Sequence, residues 1–233
     1  MSDSKKTERA STSTLNSLRA AVLGANDGIV SVSSIILGVA GATSATHTIF
    51  IAGLAGLVAG AFSMAMGEYV SVSSQRDAER AFIARERRRL REDPKHELQG
   101  LARVYIDKGV SEKTALQLAR ELTAHDPLAA HLEAELQLDE SDLNNPWQAA
   151  FASLISFTVG GLIPLVAVLA ATEHTRIFVT FVAVLLALCI TGYLSATAGA
   201  ASRKRAIIRV VIGGALAMAA TYLIGHLFGA AVH

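Results

Sequence analysis

The sequence lacks the residues and motifs on which several common protein classes depend. It has one cysteine, Cys189, within an apolar run, so neither an intrachain disulfide nor a thiolate metal cage is available. No P-loop, GxGxxG or nucleophile-elbow motif occurs, so nothing indicates nucleotide-driven transport, covalent catalysis or an organic cofactor, and we predict that the protein is not an enzyme. The basic residues form no continuous stripe, which argues against a nucleic-acid partner.

What the sequence has in abundance is apolar residues. Of its 233 residues, 52% are hydrophobic, too many for an ordinary soluble domain. A hydrocarbon layer of about 30 Å requires about 20 apolar residues at a helical rise of about 1.5 Å each. Five segments satisfy this requirement, and they lie at roughly 17–41, 47–74, 147–171, 177–200 and 206–230. The sequence therefore predicts an all-α, multi-pass integral membrane protein with five transmembrane helices.

The remaining residues predict a leader and one inserted domain. Residues 1–16 are predicted to be a disordered leader, 17–74 hold helices 1 and 2, 75–145 are too polar to insert, and 146–233 hold helices 3 to 5. Every Lys and Arg except Arg176 lies before helix 1, in the polar stretch, or beside the turn between helices 4 and 5. The positive-inside rule then places the N-terminus and the inserted domain in the cytoplasm and the C-terminus on the opposite side.

The inserted domain is predicted to be helical. No Gly or Pro interrupts residues 70–93, so helix 2 is expected to continue beyond the bilayer. Asp93 and Asp126 each precede a proline, as an N-cap precedes the first helical residue, and Ser111 is a third candidate cap. Gly109 ends the first of these helices. We therefore expect a cytoplasmic three-helix domain, inserted between transmembrane helices 2 and 3 and packed on the extension of helix 2.

Asp27 is the most unusual residue of the apolar segments. It lies about eleven residues into helix 1, roughly 16 Å deep and near the bilayer midplane. A charged side chain there costs about 3 kcal/mol or more on insertion scales, so it normally faces a polar pathway and has a partner. No Lys or Arg lies deep enough in the five segments to pair with it. A proton or a bound cation remains as the neutralising species, with hydrogen bonds from backbone and serine groups as the alternative.

Helix 2 offers two further candidate ligands. Because it runs antiparallel to helix 1, Met64 is expected near the level of Asp27, and Glu68 lies one turn further on the same face. A thioether beside carboxylates favours a softer transition ion such as Fe2+ over Mg2+ or Ca2+. Without Asp27 beside it, Met64 would be interpreted as a residue that fills space in the core.

The inserted domain also contains candidate metal ligands. Residues 93–142 include eleven Asp or Glu and five Lys or Arg. Glu79 and Glu86 share the apolar face of the helix 2 extension, and His131 and Glu135 are four residues apart on another apolar face. Ionisable groups on buried faces are costly unless they pair or bind metal. Several arginines lie close to Glu86 in the sequence, so structural ion pairs remain the alternative to a metal site.

Three sequence motifs occur in this order: GANDGIVS in helix 1, GLVAGAFSMAMGEYVSVSSQRDAER in helix 2 and GGLIPL in helix 3. From about Ser17 to Ala231 the chain resembles the vacuolar iron transporter family. The resemblance implies a homodimeric exporter that moves Fe2+, and in some members Mn2+, out of the cytoplasm in exchange for protons. It also implies that the inserted domain gathers metal. Glycine-rich helices allow close helix packing, which is consistent with a dimer.

The resemblance also implies roles for individual residues. Asp27 and Met64 match the translocation residues, Glu86, Glu97 and Glu135 match domain glutamates, and His131 stands where some members have a methionine. The chain departs from the family pattern at four positions. Arg89 and Gly100 replace domain glutamates, Gly56 replaces a helix 2 glutamate, and Glu68 replaces a small residue.

We therefore predict a proton-coupled antiporter for Fe2+, with Mn2+, Co2+ and Zn2+ left open because first-row metals share ligands. The predicted pathway is Asp27, Met64 and Glu68, and the predicted metal ligands are Glu79, Glu86, Glu97, His131 and Glu135. A membrane-anchored ferroxidase is one alternative, but the chain contains no Glu-x-x-His pair. A metal sensor without transport is another, and it leaves Asp27 unexplained.

Overall fold

A computed structural model describes residues 2–136, 145–198 and 202–232. Within these ranges every regular element is a helix and no strand occurs, which confirms the all-α prediction. The helices are α1 (Ser2–Ala42), α2 (Thr46–Glu92), α3 (Pro94–Asp107), α4 (Glu112–His125), α5 (Pro127–His131), a π-helical turn (Leu132–Leu136), α6 (Pro146–Ala170), α7 (Arg176–Ala198) and α8 (Arg203–Val232).

The chain divides into two compact units. The first, which we call the apolar unit, comprises Met1–Tyr69 and Trp147–His233, and the second, the polar unit, comprises Val70–Pro146. Helix α2 contributes residues to both units because it continues without interruption from Thr46 to Glu92. No glycine or proline lies in the second half of this helix to break it.

Five helices are long and apolar enough to cross a membrane, as the sequence predicts. They are Ala21–Ala42 of α1, Thr46–Glu92, Pro146–Ala170, Arg176–Thr197 and Arg203–Ala230. Helix α1 begins at Ser2, whereas the sequence predicts that residues 1–16 form a disordered leader. Residues 2–16 contain no glycine or proline, so nothing in them interrupts the helical backbone.

Helix α1 lies at the centre of the apolar unit. One of its faces packs with α2 and α6 in a cluster that includes Val32, Leu57 and Phe157. An adjacent face packs with α7 and α8 in a second cluster, which includes Ile29, Leu188 and Met218. Each of these side chains is at least 95% buried. Because lipid is as apolar as these side chains, close van der Waals packing stabilises the bundle.

Two helix pairs approach closely enough that only glycine fits between them. A Cβ on Gly160 of α6 would overlap the carbonyl oxygen of Ala25 in α1, and a Cβ on Gly225 of α8 would overlap the carbonyl oxygen of Gly38. Such contacts between backbones are typical of tightly packed membrane helices. Gly160 and Gly225 therefore have a packing role within a single chain.

Arg176, at the start of α7, is 5% exposed. Its Nη1 donates a hydrogen bond of 3.0 Å to the carbonyl oxygen of Ser44. Ser44 lies in the connection between α1 and α2, so this bond fastens that connection to the first turn of α7. A buried hydrogen-bonded arginine at a helix terminus stabilises the local structure through a charge-assisted bond.

The local signals in the polar unit are confirmed. Asp93 accepts a hydrogen bond of 3.0 Å from the backbone N–H of His96, and Asp126 accepts one of 3.0 Å from that of Ala129, so both are N-caps followed by proline. Gly109 has φ +94°, which favours glycine. Ser111 precedes α4 without a side-chain cap, and its hydroxyl oxygen lies 2.8 Å from that of Thr114. A small core around Leu101 joins these helices.

Candidate metal centre

Four candidate ligands from four elements meet in the polar unit. Nδ1 of His131 lies 3.1 Å from Oε1 of Glu135, 3.2 Å from Oε1 of Glu86 and 3.9 Å from Oε2 of Glu97. Glu86 belongs to α2, Glu97 to α3, His131 to the last turn of α5 and Glu135 to the π-helical turn. The structure thus brings together three residues that the sequence places on apolar helix faces, Glu86, His131 and Glu135, and a fourth, Glu97, that only the family resemblance implies.

The local sequence explains why these residues converge. Glu86 lies three residues after the buried Ile83, so the helical period places it on the buried face of α2. The Asp93 cap starts α3 so that Glu97 falls in the first helical turn. The π-helical turn begins directly after His131 and widens the helix where Glu135 hydrogen-bonds to that imidazole. Single π turns of this kind occur frequently at functional sites.

The cluster is buried, and burial acts on its charges. His131 is 1% exposed and Glu86 is 5% exposed. Burial raises the pKa of Glu86 above its usual value near 4.5, and the neighbouring carboxylates of Glu135 and Glu97 raise it further, against the opposing influence of His131 and Arg89. Without a cation the site therefore disfavours the charge that Glu86 carries at neutral pH.

The spacing of the ligand atoms suits a single metal ion. Ligands about 2.0–2.2 Å from one transition metal lie roughly 3.0–3.6 Å apart along the edges of its coordination polyhedron. The three distances measured from Nδ1 of His131 fall between 3.1 and 3.9 Å. Ligand atoms of Glu86, Glu97 and His131 all lie within 4.8 Å of one another. Oε1 of Glu86 is buried and makes no hydrogen bond, so it has a lone pair available for a cation.

Arg89 is one of the arginines whose nearness to Glu86 in the sequence left structural ion pairs open as the alternative, and it lies beside this site. Its Nη1 lies 3.7 Å from Oε2 of Glu86, the carboxylate oxygen that does not approach His131. The sequence presented Arg89 as a departure from the family pattern, although its position three residues after Glu86 on one helix already indicated that the two side chains could meet. With a neutral imidazole, three carboxylates and one guanidinium carry a net charge that one divalent cation neutralises.

Glu79 lies outside this group, although the sequence predicts it as a ligand. It precedes Glu86 by two helical turns on α2, about 10 Å along the axis. Its Oε1 accepts a hydrogen bond of 2.8 Å from the side-chain amide of Gln75. The shared helical face was a correct observation, but two turns separate the carboxylates by too much for one ion.

Asp27 lies in the apolar unit with its side chain exposed on the single chain. Its Oδ1 accepts a hydrogen bond of 2.9 Å from the hydroxyl of Ser31, one turn later on α1. That bond uses one of about four acceptor positions of a carboxylate. The hydrogen bond from a serine that the sequence left open as an alternative is thus present. It leaves most acceptor positions of the carboxylate available to a proton or cation.

Met64 lies close to the part of α1 that carries Asp27. Its side chain is half-buried and packs against the cluster shared by α1, α2 and α6. A Cβ on Gly24, one turn before Asp27, would lie 3.6 Å from Cε of Met64. Glu68 follows one turn later on α2 and is also half-buried. Met64 therefore packs against the core next to the turn that holds Asp27.

The fold and this site together define a class: a five-helix membrane protein with a buried carboxylate and imidazole cluster suited to a metal cation. The chain belongs to the VIT family, whose model matches residues 18–226. This confirms the family suggested by the three strings in α1, α2 and α6.

Named relatives resemble the chain over most of its length. It is 42% identical over 212 residues to a vacuolar iron transporter of Acanthamoeba castellanii, covering 90% of this chain and 78% of that one. It is 36% identical over 215 residues to vacuolar iron transporter homolog 2.1 of Arabidopsis thaliana, covering 92% and 82%. It is 34% identical over 214 residues to VIT-like transporter 1b of Glycine max, covering 91% and 76%. These relatives are named as transporters, which is consistent with a protein that is not an enzyme.

Proposed function

We propose that this protein is a proton-coupled antiporter that exports Fe2+ from the cytoplasm. The observation that carries the proposal is the convergence of Glu86, Glu97 and Glu135 on Nδ1 of the buried His131. In this proposal the four side chains collect the metal, and Asp27, Met64 and Glu68 conduct it across the membrane.

The ligand chemistry supports a first-row divalent ion as the cargo. Carboxylate oxygens with one imidazole nitrogen suit Fe2+ and Mn2+, whereas soft ions such as Cu+ prefer thiolates. The names of the relatives specify iron. Co2+ and Zn2+ use the same ligand types, so we expect them to bind as competitors.

Exchange with protons follows from the chemistry of Asp27. A carboxylate must be deprotonated to bind a metal, so metal binding releases a proton and protonation releases the metal. A neutralised carboxylate is also much less costly inside a bilayer than a charged one. A proton and a metal ion that alternate on Asp27 would therefore couple the two fluxes.

The distribution of basic residues supports the direction of transport. Arg203, Lys204, Arg205 and Arg209 lie beside the turn between α7 and α8, and short loops of this kind dominate the positive-inside rule. We therefore propose that the N-terminus and the polar unit lie in the cytoplasm and the C-terminus on the other side. Metal collected by the polar unit would then leave the cytoplasm.

A homodimer would explain the exposure of Asp27 on the single chain. A carboxylate that faces lipid near the midplane costs about 3 kcal/mol or more. Leu23 and Ile35, which precede and follow Asp27 on α1, are also exposed. A second copy packed on this face would shield Asp27 from acyl chains and leave it in a polar pathway.

Uptake of Fe2+ into proteoliposomes under an imposed pH gradient tests the proposal. We expect wild-type protein to accumulate Fe2+ only when the gradient is present, and Asp27→Asn to reduce uptake to that of protein-free liposomes. Asp107→Asn makes the same chemical change on an exposed residue of the polar unit and should transport normally.

Two results would contradict the proposal in different ways. Equal uptake by wild type and Asp27→Asn would remove Asp27 from the mechanism. Binding of Fe2+ without any flux would favour the metal-sensor alternative, and oxygen consumption on addition of Fe2+ would favour the ferroxidase alternative.

A further inference from the structure

The first two turns of α8 carry an exposed basic patch, which we define as Arg203, Lys204, Arg205 and Arg209. No aspartate or glutamate follows Glu173 in the sequence, so α7 and α8 supply no acidic partner. Basic side chains at a helix N-terminus also oppose the helix macrodipole, which favours anions there. The patch therefore works against the stability of α8 and in favour of a bound anion.

Two of these arginines stand in line with a long apolar stripe. Arg205, Arg209, Ile212 and Leu216 follow one another at spacings of four, three and four residues, so they share one face of α8. Ile212 is 53% exposed and Leu216 is 65% exposed. The same face continues through Leu223 and Leu227, both exposed. Two guanidinium groups thus lie at the end of an uncovered hydrocarbon surface.

The neighbouring helix extends the patch. The guanidinium carbon of Arg203 lies 5.1 Å from the centre of the Tyr193 ring on α7. Tyr193 is itself exposed, and Ile190 and Leu186 continue an exposed apolar face along α7. This cation–π contact holds Arg203 toward α7, so basic groups border both α7 and α8, which pack together.

The uncovered state of α8 distinguishes it from the other membrane helices. Only 11% of its most apolar stretch is buried, compared with 50% for α1 and 44% for α6. At the other end of α7, the basic residue Arg176 is buried and bonded to a carbonyl oxygen of the protein. Arg176 is thus turned into the protein, whereas the side chains of the basic patch at the start of α8 are exposed.

We infer that Arg205 and Arg209, assisted by Arg203 and Lys204, bind the phosphate of an anionic phospholipid whose acyl chains lie along Ile212 and Leu216. Arginine suits this role because its planar guanidinium can make paired hydrogen bonds to phosphate. The apolar stripe favours a lipid over a soluble phosphate because both parts of a phospholipid find a matching surface. Juxtamembrane clusters of Lys and Arg recognise anionic lipids in this way.

Native mass spectrometry of the full-length protein tests the inference, with phosphatidylglycerol and phosphatidylcholine added to the same detergent-solubilised sample. We expect phosphatidylglycerol to be retained in preference to phosphatidylcholine. Arg205→Ala with Arg209→Ala should weaken retention roughly fivefold for each arginine removed. Lys113→Ala with Arg120→Ala removes the same charge from exposed positions of the polar unit and should change nothing.

A charge-conserving variant, Arg205→Lys with Arg209→Lys, keeps the positive charges that orient the helix in the membrane. It should lose part of the preference for phosphatidylglycerol, since lysine cannot bind phosphate with a planar fork. This variant keeps the inference testable if the alanine variant fails to insert.

Three results would overturn the inference. Equal retention of the two lipids, or an unchanged preference in both arginine variants, would show that the patch does not recognise anionic lipid. Stoichiometric binding of inorganic phosphate that depends on Arg205 and Arg209 would identify a soluble anion as the ligand. A lipid-free dimer that both variants abolish would identify a second copy of the chain as the occupant of this face.

Discussion

The two places where this protein offers carboxylates to a cation differ in how complete they are within one chain. In the polar unit, four side chains from four elements already surround one point, and His131 at its centre is buried. In the apolar unit, Asp27 is exposed and accepts a hydrogen bond from Ser31, a neighbour on the same helix. A preassembled group suits collection of a dilute ion, whereas a single carboxylate suits rapid exchange.

The two places also differ in the apolar packing that supports them. Asp27 lies on α1, which packs against two large apolar clusters. The cluster around His131 depends on a small core with few large side chains, of which Leu101 is fully buried. We therefore expect metal binding to contribute to the stability of the polar unit and to have little effect on the apolar unit.

The largest expected effect is on metal binding when the central ligand is removed. His131→Ala should weaken binding of Fe2+ roughly 100-fold, because it removes the atom on which the carboxylates converge and leaves them to repel one another. Anaerobic titration calorimetry with Fe2+, repeated with Mn2+, measures this. His96→Ala, which alters an exposed imidazole in the first turn of α3, is the matched control. Unaltered affinity in His131→Ala would separate the cluster from metal collection.

The next prediction concerns the number of ions bound. Arg89→Glu replaces a cation 3.7 Å from Glu86 with an additional carboxylate, so the site should accept a second divalent ion. Metal analysis of purified protein should give one ion per chain for wild type and two for Arg89→Glu. Arg88→Glu makes the same change at a residue paired with the exposed Glu92 and should remain at one ion. Two ions per chain in the wild type would contradict the idea that Arg89 neutralises one of the three carboxylates.

The stability of the apolar unit should change more when one glycine at a helix contact becomes alanine than when metal is added. Gly225→Ala places a Cβ against the carbonyl oxygen of Gly38 and should destabilise the bundle by about 1–3 kcal/mol. Gly213→Ala lies on the same helix with open space around it and should be neutral or slightly stabilising, since alanine is the better helix former. Thermal denaturation in detergent compares the two. Equal melting temperatures would show that α1 and α8 do not require this close approach.

The smallest expected effect is a change in the pH dependence of stability. Burial raises the pKa of Glu86, so in metal-free protein its contribution to stability is full at pH below its usual value near 4.5 and is lost as pH rises through the raised value. Glu86→Gln should remove this loss and stabilise the metal-free protein at neutral pH. The melting temperature of each protein, measured from pH 4 to 8, gives the difference. A larger loss of stability in Glu86→Gln than in wild type as pH rises would contradict it.

Sequence patterns predicted the helices well because the relevant signals are local. Apolar run length gave the five membrane helices, and the Asp–Pro pairs at Asp93 and Asp126 gave helix starts that the structure confirms. The faces of Glu86 and His131 followed from helical periodicity. Distances do not follow from such signals, which explains why Glu79, two turns from Glu86 on the same face of α2, was predicted beside it. The nearness of several arginines to Glu86 left ion pairs open, and the structure shows that Arg89 lies close enough to form one. The π-helical turn at Leu132–Leu136 has no sequence signature of its own.

The ligands around His131 are all oxygen or nitrogen atoms, and this has a consequence for durability. Ferrous iron in the presence of oxygen generates peroxide, which attacks thiolates and thioethers first. The proposed collecting site has no sulfur ligand, so it offers peroxide no thiolate or thioether to oxidise. Hard oxygen ligands also hold ferrous iron less tenaciously than thiolates would, so the ion can be handed on as readily as it is taken up.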